Sequence, residues 1–221
     1  MTKELDELFT EWAKKGRHQG QLFNRDGIVD EKEWNEVNKK ILFLNKEAYH
    51  KEQIYCETYD LAEDLYKNGP WNNIWHRVAE WARAVLLTEK NRIPSYQRLK
   101  PEEANMYLRK IAVMNIKKSD GNPSSKYSDL CDYAKEDSSE LMRELEIIDP
   151  DIIVCGYTFD YLNIVLGSKG ESIDKTSNYN ENYHYKWRDK TIIDYYHPSA
   201  HMNALQSFYG LVGSYHDSLL E

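Results

Sequence analysis

The sequence contains too few cysteines for a disulfide framework or a four-cysteine metal site. Cys56, Cys131 and Cys155 lie far apart and form no CxxC pair, whereas an iron–sulfur cluster or an all-cysteine zinc site needs four thiolates. No stretch approaches the roughly 20 apolar residues of a membrane-spanning helix, and the charged N-terminus is not typical of a signal peptide. We therefore expect a cytoplasmic protein with no membrane association, no metal and no cofactor.

Positive charge is also scarce. The 221 residues include 29 Lys and Arg against 37 Asp and Glu, a formal net charge of −8. This balance excludes a uniformly basic nucleic-acid coat, although it allows a local basic groove. The 17 Tyr, 6 Trp and 5 Phe are too many for a disordered chain. Because the sequence has no internal repeat or linker, we expect one domain over residues 1–221, present as a monomer.

Four short apolar runs alternate with segments of helical periodicity. Each run predicts a buried strand, and the runs cover residues 41–44, 111–116, 152–155 and 191–196. The main predicted helices cover residues 3–15, 72–87, 128–146 and 203–219, and another begins at Pro101. Strands that alternate with helices predict an α/β fold. We expect a three-layer αβα sandwich around a central four-stranded, mostly parallel sheet.

Polar side chains lie at the ends of these runs, where ligands bind in parallel sheets. Glu47 follows the first run, Asn115 lies near the end of the second, and His197 follows the fourth. A carboxylate can activate a water, an amide can pair with the edge of a nucleobase, and an imidazole can donate a hydrogen bond to a leaving group. Together they predict hydrolysis of a bond whose leaving group is a heterocyclic anion, such as an N-glycosidic bond.

Four segments resemble, in chain order, motifs of the uracil-DNA glycosylase superfamily. They are ILFLNKEAYH at 41–50, GPWNNIWHRVAEW at 69–81, IAVMNIKKS at 111–119 and YYHPSA at 195–200. The resemblance covers roughly residues 38 to 220 and favours the branches without an iron–sulfur cluster. It implies that the protein binds DNA and flips the target nucleotide out of the helix into a pocket.

The resemblance also implies roles for individual residues. Glu47 falls on the family's water-activating Asp, and Tyr49 on the Tyr that packs against the C5 edge of the base. Asn115 falls on the Asn that reads the flipped base. His50 and His197 fall on the histidines of the first and last motifs, and we assign the catalytic roles to Glu47 and His197.

The resemblance also implies an aromatic residue that stacks on the flipped base and further residues that contact the DNA. An aromatic ring normally stacks on the flipped base, and Trp71, Tyr66 and Tyr59 lie in the segment where the family places that ring. The residues expected to contact DNA, among them the wedge that fills the gap left by the flipped base, are Lys117, Ser199, His201 and Met202.

The first motif departs from the family pattern and leaves alternatives open. Glu47 replaces Asp, Ala48 replaces Pro, and an alignment to the family's GEAPG variant would shift Glu47 by one residue and remove its role. The sequence predicts a monofunctional DNA glycosylase that acts on uracil in repair or on a modified phage base in antiviral defence. The alternatives are a catalytically silent nucleic-acid- or protein-binding module and a small-molecule hydrolase, for instance one that acts on a nucleoside.

Overall fold

A computed structural model describes residues 2–50, 57–174 and 183–221. Over these residues the chain forms eight strands and nine α-helices. The strands are β1 (Phe23–Arg25), β2 (Gly27–Ile28), β3 (Ile41–Glu47), β4 (Thr58–Asp60), β5 (Ile111–Lys117), β6 (Ile152–Gly156), β7 (His184–Trp187) and β8 (Lys190–Tyr195). The helices are α1 (Lys3–Trp12), α2 (Glu31–Glu36), α3 (Leu61–Asn68), α4 (Asn73–Leu87), α5 (Pro101–Leu108), α6 (Tyr127–Glu136), α7 (Ser138–Ile148), α8 (Phe159–Gly167) and α9 (Ala204–Ser218).

Six strands form the central sheet, in the order β2-β5-β3-β6-β8-β7. The four predicted strands, β5, β3, β6 and β8, are parallel neighbours, with Phe43 of β3 opposite both Val113 and Val154. The prediction of a mostly parallel α/β sheet is therefore confirmed. Its strand count was too low, because β2 and β7 add antiparallel edges. Neither carries an apolar run: β2 has two residues, and β7 lies in a polar, tyrosine-rich stretch.

Helices cover both faces of this sheet. Alternate residues of a strand point to opposite faces, and β3 shows the consequence. Leu42 and Leu44 pack in one core with α1, α6, α7 and α8, whereas Ile41 and Phe43 pack in a second core with α3, α4, α5 and α9. The predicted three-layer αβα sandwich is confirmed, and burial on both faces explains why the parallel strands read as continuous apolar runs.

The helix boundaries differ from the prediction in one informative place. The helix expected over 128–146 is two helices, α6 and α7, which meet at Asp137. The Asp137 carboxylate lies 2.8 Å from Nε2 of the buried His18, a contact that the local pattern around residue 137 does not reveal. None of the described helices is long and apolar enough to cross a membrane.

Candidate active site

A cavity of about 510 Å³ opens at the carboxyl ends of β3 and β5, beside the segment that follows β8. Its volume falls within the range of about 300–1,000 Å³ that is usual for small-molecule sites. Six of the nine predicted site residues line it, namely Glu47, Tyr49, Trp71, Asn115, His197 and Ser199. The residues that the sequence places at separate strand ends therefore surround one space.

Gly156 allows the segment after β8 to reach this cavity. β6 lies between β3 and β8 in the sheet and ends at Gly156. A Cβ on Gly156 would lie 3.1 Å from Asn45 Oδ1 and 3.3 Å from Pro198 Cδ. These contacts are tighter than most real Cβ contacts, so glycine eases the close approach of Pro198 to the end of β6, and His197 next to it lines the same cavity as the end of β3.

Glu47 is the last residue of β3, and its carboxylate is held by a buried ion pair. Its side chain is 4% exposed, and Oε2 lies 3.2 Å from Nζ of Lys117. Lys117 also lies 3.0 Å from Asp129. Burial acts to lower the pKa of Lys117, but the hydrogen bond to Asp129 and the charge of Glu47 outweigh it and raise that pKa above its usual value.

This placement corrects the role expected for Lys117. A phosphate contact needs an accessible ammonium, whereas the Lys117 side chain is 6% exposed and its ammonium lies between two carboxylates. Its structural role is to supply the counter-charge that keeps Glu47 in position.

The turn after β5 closes over Glu47. The backbone N–H of Gly121 donates to the carbonyl of Ala48 at 2.7 Å. A Cβ on Gly121 would lie 2.7 Å from both Cγ and Cδ of Glu47, closer than real Cβ contacts come. Gly121 is thus required for the turn to pack directly on the Glu47 side chain.

Asn115 is held by a buried carboxylate. Its backbone N–H and its side-chain Nδ2 donate to Asp26 Oδ2, at 2.8 and 3.0 Å. Because a carboxylate only accepts hydrogen bonds, this contact fixes which end of the amide faces Asp26. Asn115 lines the cavity, and its Oδ1 forms no hydrogen bond with another described residue.

A buried charge cluster supports Asp26 in turn. Lys118 Nζ lies 2.5 Å from Asp26 Oδ1 and 2.7 Å from Glu144 Oε2, and all three side chains are fully buried. Burial, followed by the charge of Asp26, raises the pKa of Glu144 well above its usual value. Lys118 and Asp26 form a fully buried ion pair, and the same Asp26 carboxylate holds Asn115.

His197 presents a neutral imidazole. Burial, with a smaller contribution from the charge of Lys46, lowers the pKa of His197 to about 4. The backbone N–H of Ser199 donates to Nδ1 at 3.1 Å, and Ser199 Oγ lies 2.7 Å from the same nitrogen. Since Nδ1 accepts, the single ring proton of neutral His197 resides on Nε2, which is then a hydrogen-bond donor.

Arg77 of α4 fixes the segment that carries His197 and Ser199. Its guanidinium donates to the carbonyls of Pro198 and Ala200, both at 2.7 Å, and to that of Met202 at 3.4 Å. The sequence analysis gave Arg77 no role, because its partners lie more than 120 residues away along the chain. His201 and Met202, the expected wedge residues, do not line the main cavity; they line an adjoining groove together with Arg77.

The aromatic residues expected to contact the flipped base line two different cavities. Trp71 and Tyr49 are about half-exposed and line the cavity, with the Trp71 ring 5.7 Å from that of Trp75. Tyr59 also lines it and donates its hydroxyl to Asp64. Tyr66 lines a different depression, so Trp71 and Tyr59 remain as stacking candidates.

His50 also lines the cavity and is held by a carboxylate outside the lining. His50 Nδ1 lies 2.7 Å from Asp120 Oδ1, and the His50 ring lies 4.4 Å from that of Tyr59. The pairing of Asp120 with His50 is not predictable from the sequence, because 70 residues separate the two and no local pattern joins them.

No protein-family model matches this sequence, and no curated protein matches it. The chemistry of the site therefore rests on the geometry above. Over residues 2–50, 57–174 and 183–221, no group of three His, Cys, Asp or Glu side chains is arranged to hold a metal ion.

Proposed function

We propose that the protein is a monofunctional DNA glycosylase that hydrolyses the N-glycosidic bond of a flipped pyrimidine, either uracil or a modified base. The observation that carries the proposal is the single cavity that Glu47, Asn115 and His197 share. It combines a carboxylate for the sugar, an amide for the base edge and a neutral imidazole for the leaving group.

Glu47 acts on the sugar side of the bond. Cleavage of a glycosidic bond passes through a transition state that resembles an oxocarbenium ion. The buried carboxylate of Glu47 stabilises that positive charge and orients the attacking water. Its ion pair with Lys117 and its contact with Gly121 hold it in place before the substrate arrives.

His197 acts on the base side. A departing pyrimidine such as uracil leaves as an anion whose negative charge resides largely on its exocyclic carbonyl oxygens. The neutral Nε2–H of His197 donates a hydrogen bond to that charge, and a low pKa keeps the ring neutral at physiological pH. Asn115, fixed by Asp26, pairs with the polar edge of the same base.

The size of the cavity bears on the choice of base. Even at roughly 30 Å³ for each heavy atom, the volume of a whole water molecule in the liquid and therefore an upper bound, the about eight heavy atoms of uracil need no more than about 240 Å³. The cavity of about 510 Å³ is about twice as large. It accommodates the deoxyribose of uracil or a substituent on the pyrimidine ring, so both substrate classes fit.

A transition-state analogue tests the chemistry before the base is known. Affinity is measured for two DNA duplexes that carry, at the abasic position, either a cationic pyrrolidine ring or its neutral tetrahydrofuran counterpart. Transition-state analogues bind at least about 100-fold more tightly than ground-state ligands, so the wild type should prefer the pyrrolidine duplex by about that factor.

Two variants make the result specific to the site. Glu47→Gln should remove the preference and leave affinity for the tetrahydrofuran duplex unchanged. Glu102→Gln makes the same change on the exposed side of α5 and should leave the preference intact. Equal affinity of the wild type for the two duplexes would contradict the proposal and favour a DNA-binding module without hydrolytic activity.

A further inference from the structure

A second cavity, of about 480 Å³, lies where β8 meets α9. Five tyrosines line it, namely Tyr157, Tyr183, Tyr195, Tyr196 and Tyr209. All of them except Tyr195 are among the exposed large side chains of the protein. The rings of Tyr195 and Tyr196 stand at 81° to each other, so their faces point in different directions around the space. The cavity has aromatic walls on more than one side.

The charge of this cavity is negative. Asp194 and Asp217 line it, and neither carboxylate forms a hydrogen bond or an ion pair with another described residue. The described lining residues include no Lys, Arg or His, although Lys46 Nζ lies 4.5 Å from the centre of the Tyr157 ring, so the other four tyrosines form the aromatic wall. Burial, with a smaller contribution from Asp160, raises the pKa of Asp194 to about 6. A partly buried carboxylate without a partner is costly to ionise, and a bound cation would remove that cost.

Two glycines of α9 create the space. A Cβ on Gly210 would collide with the Tyr195 hydroxyl, so glycine lets that ring lie against the helix. A Cβ on Gly213 would meet no atom within 4 Å. The helix thus leaves open a volume that an ordinary side chain at residue 213 would fill.

We propose that this cavity binds a small organic cation with an alkylated ammonium group. Such a cation is attracted to the faces of aromatic rings within about 6 Å. Its alkyl groups pack against the tyrosine rings and Met202, and its charge is balanced by Asp194 and Asp217. A quaternary ammonium has no N–H group and therefore needs no hydrogen-bond acceptor, which suits walls that are mainly aromatic.

The same lining disfavours other ligands. A hard metal ion needs about six or more oxygen ligands, which two carboxylates among aromatic rings do not provide. A phosphate would be repelled by both carboxylates. Even at roughly 30 Å³ for each of its about seven heavy atoms, an upper bound for bonded atoms, choline needs no more than about 210 Å³ and fits within the cavity of about 480 Å³. The proposal does not rest on the glycosylase activity, because neither carboxylate lines the first cavity.

Calorimetric titration of the full chain with choline tests the site. The control ligand is the neutral isostere of choline, in which carbon replaces nitrogen, so shape is kept and charge is removed. Choline should bind at least about tenfold more tightly than this isostere. Absence of choline binding, or equal binding of the two ligands, would overturn the proposal.

Three variants locate the binding. Asp194→Asn should weaken choline binding by about tenfold or more, whereas Asp132→Asn, the same change at an exposed position of α6 that does not line the cavity, should leave it unchanged. Gly213→Leu fills the open volume and should abolish binding, while the helix is preserved because leucine favours helices more than glycine does. Undiminished binding in Gly213→Leu, with an unchanged circular dichroism spectrum, would place choline elsewhere and refute the assignment.

Discussion

Removal of the Lys117 ammonium should destabilise the protein strongly, through its effect on Glu47. The two side chains are 6% and 4% exposed and lie 3.2 Å apart. In Lys117→Met, the Glu47 carboxylate keeps its burial and loses its counter-charge. Breaking one side of a buried ion pair costs about 3–5 kcal/mol. Asp129, the other partner of Lys117, is 42% exposed and remains hydrated, so it adds little to the loss.

The reverse change should cost less. Glu47→Gln leaves Lys117 with its contact to Asp129 at 3.0 Å, so the ammonium keeps a partner. We expect a loss of about 1–3 kcal/mol, the usual cost of an impaired buried hydrogen bond. The double variant Lys117→Met/Glu47→Gln contains no unpaired buried charge at this place. Its loss should therefore be smaller than the sum of the two single losses, by up to about 3 kcal/mol.

Urea denaturation at pH 7, followed by tryptophan fluorescence, gives the free energy of unfolding for the four proteins of this cycle. Additive losses would show that the two side chains do not interact. A loss below about 1 kcal/mol for Lys117→Met would show that Glu47 does not depend on this ammonium. Either result would remove the explanation for how the carboxylate is held.

Three further predictions concern the same cavity. Gly121→Ala places a Cβ 2.7 Å from Glu47 and should displace it, which lowers the rate of base release by about 100-fold in single-turnover assays. His197 has a folded-state pKa of about 4 against the ordinary 6.5. Between these two pH values the unfolded chain binds more protons than the folded chain, so the free energy of unfolding should fall as the pH drops from 6.5 to about 4. Because the ring is partly exposed, we expect a loss of only about 1–2 kcal/mol in the free energy of unfolding. This loss should be absent in His197→Asn, and denaturation at pH 7 and pH 4 measures it. Borohydride should trap no adduct between Lys46, which lines the cavity, and abasic DNA, since the proposed hydrolysis uses water and needs no lysine nucleophile; a trapped adduct would contradict hydrolysis by water alone.

The sheet was predictable because its central strands are buried on both faces. The runs at residues 41–44 and 111–116 contact helices above and below, so every position except Asn115 is apolar and the runs stand out. The rim residues followed from the same fact, since a parallel sheet brings the ends of its strands together. This reasoning found Glu47, Asn115 and His197 at one cavity.

Buried charges were not predictable in this way. Lys117 and Lys118 look like a basic surface cluster, because lysine is seldom buried unless it is paired. Their partners Glu47, Asp26 and Glu144 come from three distant segments of the chain. Burial of a charge depends on such long-range pairs, which a local pattern does not contain.

The central claim is that Glu47 drives release of a base, and mass spectrometry of free bases tests it most directly. The substrates are uracil-containing duplex DNA, single-stranded uracil DNA and phage DNAs with modified pyrimidines. Each is incubated with the wild type, Glu47→Gln and the control Glu102→Gln. The account predicts that the wild type and the control release one base and that Glu47→Gln releases none. Release that persists in Glu47→Gln, or no release from any substrate that the wild type binds, would contradict it.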